Sequence, residues 1–248
     1  MKKRHRAEKQ AQALLARAAV FRLLACGFAY PAESHVRAMN QAFARLYESD
    51  GFAGFSPRLA LSLTRAQRAW HGTEDENTKK EYMRLFLGNG AVSLHETAYG
   101  DGRRIAGRPV ELADIGGFYA AFGFALSESD PDLPDHLCAE LEFYSLLLVK
   151  QAYALSRGWL PKAHIAREAA KAFLEQHLGR WIGALKSSLQ ENNAIPYLDL
   201  ADTVETIVEA ECRRLRVQPT PFIGRLPHDA MQDEPLVCPR DNAMTAAH

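Results

Sequence analysis

The sequence predicts an all-α fold, and three observations carry that reading. Apolar residues recur at three- and four-residue spacing over most of the chain. Period-two alternation with β-branched residues is nearly absent. Asn89-Gly90 comes closest to a hairpin turn, but it follows a helical segment and reads as a helix stop.

The elements follow in order. Residues 8–29 form an amphipathic helix with Leu14, Ala18, Phe21 and Leu24 or Ala25 on one face. The preceding MKKRHR gives this region the look of a secretion signal, but Arg17 and Arg22 interrupt it. Its longest uncharged apolar run, Leu23 to Tyr30, is at the short end of the roughly 7–15 residues such signals use. Further helices are expected at 35–48, 57–71, 76–87, 110–124, 134–157, 162–190 and 199–215. No apolar run approaches the roughly 18 residues that cross a bilayer, so a soluble, cytoplasmic protein without stable membrane insertion is expected.

Three stretches break the periodicity. Residues 88–109 hold five glycines, and loops this long inside compact domains are more often functional than connective. Residues 127–135 (SESDPDLPD) form an acidic, proline-containing hinge between an N-terminal lobe, 1–126, and a C-terminal lobe, 136–216. The tail, 217–248, carries five of the twelve prolines and reads as extended or disordered, with Phe222, Ile223 or Leu236 packing locally.

Composition excludes several classes. Thirty Lys and Arg balance thirty Asp and Glu over 248 residues, which gives no general polyanion-binding surface and no expectation of nucleic acid. Cys26, Cys138, Cys212 and Cys238 lie far apart without a CxxC pair, so neither a disulfide framework nor a metal centre is expected. There is no phosphate loop, dinucleotide fingerprint, HExxH or GxSxG elbow, and His95-Glu96 lacks a second histidine at helical spacing. A non-enzymatic protein is the expectation.

Three segments look more specified than a generic helical core. Tyr82, Leu85 and Phe86 share one helix face before the glycine-rich loop, where ordinary core packing also accounts for them. Glu96 and Tyr99 lie within that loop, and a carboxylate there can simply tie it to a helix N-terminus. In PDLPDHLCAELEF, Asp132 suits an N-cap, with Pro134 in the first turn and Asp135 at the third position. His136 and Glu140 are four apart, so a local ion pair suffices for them. Yet the stretch from Ser127 to Glu142 holds six acidic residues and no Lys or Arg, a pattern suited either to a solvated face or to receiving a basic peptide.

The strings EYMRLFLG, ETAY, PDHLCAELEFYSLL and FLEQHLGRW, in this order and spacing, together with the opening FRLLACGFAYP, resemble the TorD/DmsD/NarJ family of molybdoenzyme-specific chaperones. The resemblance covers about residues 12–215 and leaves the tail aside. It implies a helical cytoplasmic protein that binds the twin-arginine signal peptide of a molybdopterin oxidoreductase catalytic subunit. Such a protein holds the apoenzyme until its molybdenum cofactor is inserted and delays export. Some relatives instead serve subunits that are not exported. The peptide-binding residues it implies are Tyr82, Leu85, Phe86, Glu96, Tyr99, Asp135, His136 and Glu140, with the apolar residues lining a groove and Asp135 and Glu140 attracting arginines. His136 would then make affinity sensitive to pH. The loop GNGAVSLHETAY departs from many relatives, which carry prolines there and a Ser at the third position of the motif, where Thr97-Ala98 stands here. No cofactor of its own is expected; a guanine nucleotide, proposed for some relatives, is the competing ligand. Monomer and domain-swapped homodimer both fit a hinged helical protein.

Overall fold

The computed structural model describes residues 2–49, 51–88, 90–99, 108–126 and 133–222. The protein is all-α, and among these residues the only extended pairing is an isolated antiparallel bridge between His95 and His136. The helices are α1 (Lys2–Phe28), α2 (His35–Tyr47), α3 (Pro57–Trp70), α4 (Asp75–Phe86), α5 (Arg108–Ala121), α6 (Leu137–Ser156), α7 (Leu160–Phe173), α8 (Gly179–Glu191) and α9 (Tyr197–Leu215). Each expected helix is present. The one expected at 162–190 is split into α7 and α8 by a π-helical turn, Leu174–Leu178.

The centre of the bundle is α1 packed along α6. On α1, Ala11, Ala18 and Ala25 alternate with Leu14, Phe21 and Phe28 at seven-residue intervals, and all six are buried. On α6, Leu137, Tyr144 and Gln151 alternate with Leu141, Leu148 and Leu155 in the same way, and all are buried except the partly buried Leu155. A strict seven-residue repeat is the seam of a coiled-coil pair rather than the broader stripe of a surface helix. The pairing is antiparallel, since Ser145 Oγ donates to the Ala18 carbonyl (2.9 Å) and Cys138 Sγ to that of Ala25 (3.2 Å). Both donors reach backbone oxygens of the other helix because the alanines keep the two backbones close. Phe21 fills the adjacent space against Tyr144, with ring centroids 4.6 Å apart. Ala18→Leu is therefore expected to push the helices apart and cost about 2–3 kcal/mol by overpacking, read as a lowered urea midpoint. A neutral result would mean that the seam is loosely packed.

The two expected lobes share one core. Besides α1 on α6, α3 packs on α9, and one hydrophobic cluster runs from Ala11 to Val217. Glu211 of α9 is enclosed, yet it receives Arg17 of α1 (2.7 Å), Tyr144 of α6 (2.9 Å) and Arg214 (2.6 Å), so its charge is neutralised where three helices meet. Asp75 opens α4 and also takes the backbone N–H groups of Ser34 (2.9 Å) and Val36 (2.8 Å), which caps α2 across 39 to 41 residues of sequence. Contrary to the expectation that no segment is long and apolar enough to cross a membrane, α1 holds within His5–Phe28 one window that passes by length and composition alone; 61% of that window is buried inside the bundle.

Of the expected hinge, residues 127–132 lie outside the described residues, and 133–135 run directly into α6. The tail is ordered at its start. Val217 is buried, the Phe222 N–H donates to the Arg180 carbonyl (2.8 Å), and the Arg180 guanidinium lies 4.1 Å from the Phe222 ring centroid. Ile223 and Leu236 lie outside the described residues.

Candidate functional site

Two groups of residues, joined by the loop 90–99, make up the site. The first is aromatic. Helix α4 ends at Phe86, and Gly88 then adopts φ +63°, a conformation that turns the chain back. A side chain at Gly90 would collide with the Leu85 and Phe86 backbone, and the Val92 N–H closes on the Leu85 carbonyl at 3.0 Å. The expected face is thereby turned inward. Leu85 and Tyr82 are buried and Phe86 is partly buried. Tyr82 packs on Phe86 (4.9 Å), Phe86 on Tyr197 of α9 (5.0 Å), and Tyr30 on Tyr82 (5.4 Å). The exposed apolar surface here belongs to other residues: Tyr30, Met83, Leu87 and Ile195. Arg84, next to Met83, donates to the Asn192 carbonyl (3.1 Å) and so draws α4 to the turn carrying Ile195. Met83 on α4 and Leu87, the extended residue just past its end, stand four apart and outside the Tyr82–Leu85–Phe86 face, a spacing the sequence displays.

The second group is polar and enclosed. Loop and hinge pair through the Glu96 N–H to the Asp135 carbonyl (3.0 Å) and the Leu137 N–H to the Leu94 carbonyl (2.8 Å). Asp135 is wholly buried. Its carboxylate lies 3.0 Å from His95 Nδ1 and accepts from the Thr97 N–H (3.2 Å) and hydroxyl (2.6 Å). Burial alone would raise the Asp135 pKa, but the bonds from His95 and Thr97 outweigh it and hold the group below its ordinary value. Glu140, one turn into α6, is enclosed as well and accepts from the Trp181 indole N–H (3.1 Å). Burial first, and the facing Glu96 carboxylate second, push its pKa well above the carboxylate range. Its other oxygen has no donor among the described residues, and protonation, which the raised pKa favours, would let Glu140 donate toward Glu96. Glu96 also meets His177 Nδ1 (3.2 Å), whose Nε2 lies 3.2 Å from Asp114 of α5. Tyr99 stacks on Trp181 at 5.5 Å and donates its hydroxyl to the Ser93 carbonyl (2.7 Å), while Tyr119 donates to that of Pro134 (2.7 Å).

The π turn explains how His177 reaches inward. The extra residue per turn re-aims the side chains after Phe173, a device found often at functional positions. Gly179 is needed to close it, because a Cβ there would overlap the Leu174 carbonyl and the Pro219 ring.

Several expectations are corrected by this geometry. The cap of α6 is His136, whose Nδ1 accepts from the Cys138 N–H (3.3 Å), so the helix begins after Asp132 and Asp135 rather than at them. Asp132 itself lies outside the described residues. Glu140 turns to Trp181 and Glu96 in the core, which the expected surface ion pair with His136 did not foresee. Asp135 and Glu140 are enclosed, so in this conformation neither presents a carboxylate to arginines at the surface. The residues that sequence reading missed are His95, Asp114, His177 and Trp181. The last two lie in FLEQHLGRW, a string quoted for its resemblance but given no role. Among the described residues no cluster of His, Cys, Asp or Glu is arranged to hold a metal ion. Cys212 is held up to about 11 by burial and by Glu211, so it is a thiol rather than a nucleophilic thiolate.

Residues 48–187 match the nitrate reductase delta subunit family, and the chain belongs to that family, as the resemblance in its motifs implied. It is 34% identical over 154 residues to the selenate reductase assembly chaperone protein of Thauera selenatis, covering 61% of this chain and 76% of that protein. It is 31% identical over 144 residues to the chlorate reductase assembly chaperone protein of Ideonella dechloratans, covering 58% and 73%. With the perchlorate reductase assembly chaperone protein of Dechloromonas aromatica (strain RCB) it shares 29% identity over 217 residues, 81% and 90% of the two chains.

Proposed function

We propose that the protein is a non-enzymatic assembly chaperone for the catalytic subunit of a molybdopterin oxidoreductase. It binds the subunit's N-terminal, twin-arginine segment in the cytoplasm, holds the apoenzyme until its cofactor is in place, and delays export. The observation that carries the chaperone reading is the agreement of three relatives, each named as the assembly chaperone of a reductase. The peptide reading is supported by the apolar face at Tyr30, Met83, Leu87 and Ile195, backed by the aromatic cluster of Tyr82, Phe86 and Tyr197. A signal peptide has an apolar helix-forming stretch, which such a face receives in the helix-in-groove manner. Burying two turns of it, about 350 Å2, contributes on the order of 9 kcal/mol before association and ordering costs. Association and ordering take at least about 4 kcal/mol of that, so this face alone supports sub-millimolar binding, and tighter binding draws on contacts to other parts of the segment.

In this reading the enclosed network acts indirectly. Asp135, His136, Glu96, Tyr99 and Glu140 fix the loop 90–99 against α6, and the loop fixes the end of α4. Calorimetric titration with N-terminal peptides of the molybdoenzymes of the protein's own source organism tests it. Met83→Glu and Leu87→Glu are expected to weaken binding at least tenfold while leaving the thermal midpoint unchanged, because both side chains are exposed. No binding to any leader would remove the peptide reading and leave a client that is not exported, which truncation of the client's N-terminus would then examine.

A further inference from the structure

A second surface lies away from this site, where the end of α6 meets the start of α7. A groove of about 260 Å3 is walled by Phe122, Lys150, Tyr153, Trp159, Lys162 and Ile165. Tyr153, Trp159, Ile165 and the adjoining Leu160 are all exposed, a cluster of four large apolar groups at one place on the surface. The rim is cationic. Arg157 lies over the rings of Tyr153 (5.9 Å) and Trp159 (5.7 Å), and Lys162 lies 4.5 Å from the Trp159 centroid. Among the described residues, no carboxylate lines the groove or pairs with Lys150, Arg157 or Lys162. No side chain caps the first turn of α7 either, so the positive end of that helix adds to the same field.

We propose that this groove docks an acidic segment of a partner protein that carries a large apolar anchor residue. Three cations without carboxylate partners favour a negatively charged occupant. The concave wall favours a side chain inserted into it, and the edge-to-face packing of Tyr153 on Trp159 at 5.7 Å gives that side chain a rigid aromatic platform. A lipid surface fits less well, because cations already cover the ring faces that would have to enter the bilayer boundary. The basic leader of the proposed client is excluded by its sign, so this surface addresses a different, acidic stretch, and the proposal does not rest on leader binding.

The full chain reports on this groove directly. Trp159 is 40% exposed whereas Trp70 and Trp181 are fully buried, so quenching by acrylamide reads Trp159. The probe is an acetylated octapeptide of Asp and Glu flanking one Leu and one Phe, beside a counterpart in which Asn and Gln replace the acids. Binding of the acidic peptide is expected to shift emission to the blue and shield Trp159. Lys150→Glu with Lys162→Glu, or raising salt from 50 to 500 mM, is expected to weaken it at least tenfold with no change in thermal midpoint. Equal binding of the neutral counterpart, or binding to neither peptide, would overturn the proposal. So would capture by anionic phosphatidylserine vesicles in place of the peptide. Binding seen only after Glu128, Asp130 and Asp132 are changed to Ser would also overturn it, by assigning the groove to the chain's own acidic stretch, which begins five residues after Phe122.

Discussion

Asp135→Ala is expected to destabilise the protein by about 3–4 kcal/mol, read as a fall in the urea midpoint at pH 7. The carboxylate is fully enclosed, and its removal strips partners from His95 and from both the N–H and the hydroxyl of Thr97. Unpaired buried donors cost about 1–3 kcal/mol each, less than additively when they share one acceptor. Asp135→Asn retains part of the set and is expected to lose about half as much. The sign of the pH dependence follows from the depressed pKa. The Asp135 contribution is complete above the ordinary aspartate value of about 3.9 and is lost as pH falls through its lower folded value, so it appears in acid unfolding and not near neutrality. A loss of stability under 1 kcal/mol with a large loss of leader affinity would instead return Asp135 to direct peptide contact.

Glu140 has the opposite signature. Its folded pKa lies well above the ordinary value of about 4.3, so the folded protein holds a proton that the unfolded chain releases. Stability from this group is complete below the ordinary value and falls as pH rises toward the folded one, by up to about 1.4 kcal/mol per pH unit. The groups facing it are Glu96 of the loop, Asp135, the Trp181 indole, and through Glu96 the His177–Asp114 pair; Tyr119 of α5 lies in the same field. Glu140→Gln supplies a permanent donor to Glu96 and still accepts from Trp181. The variant is expected to gain stability relative to the parent as pH rises from 5 to 8. Glu140→Ala removes both bonds and opens a cavity, at a cost of about 3 kcal/mol at either pH. Urea unfolding of the three proteins between pH 5 and 8 provides the comparison. Parallel stability curves for parent and Glu140→Gln would mean that Glu140 is ionised in the fold and that no proton is shared with Glu96.

The helices were legible because amphipathic periodicity is local information, and their expected ends fall within a turn or two of those observed. The join between α7 and α8 was not legible, since a π turn keeps the apolar pattern going and differs only in one extra residue. The site residues were legible as a set but not in their roles. A carboxylate four residues after a histidine looks the same in sequence whether it faces water or a tryptophan indole 41 positions away. What decides is the partner on another element, and Trp181 and His177 carry no local mark of that role. Met83 and Leu87 were passed over for the converse reason: Tyr82, Leu85 and Phe86 form the larger apolar face, and the larger face is the one that the core takes.

The pairing of α1 with α6 also sets a timetable for synthesis. The alanine and phenylalanine seam of α1 is translated first, but the surface that covers it begins only at Leu137, roughly 110 residues later. At about 5–20 residues per second, the ribosome leaves that seam without its partner for about 5–20 seconds. Throughout that interval the nascent chain displays the apolar helix face that its own sixth helix is destined to cover.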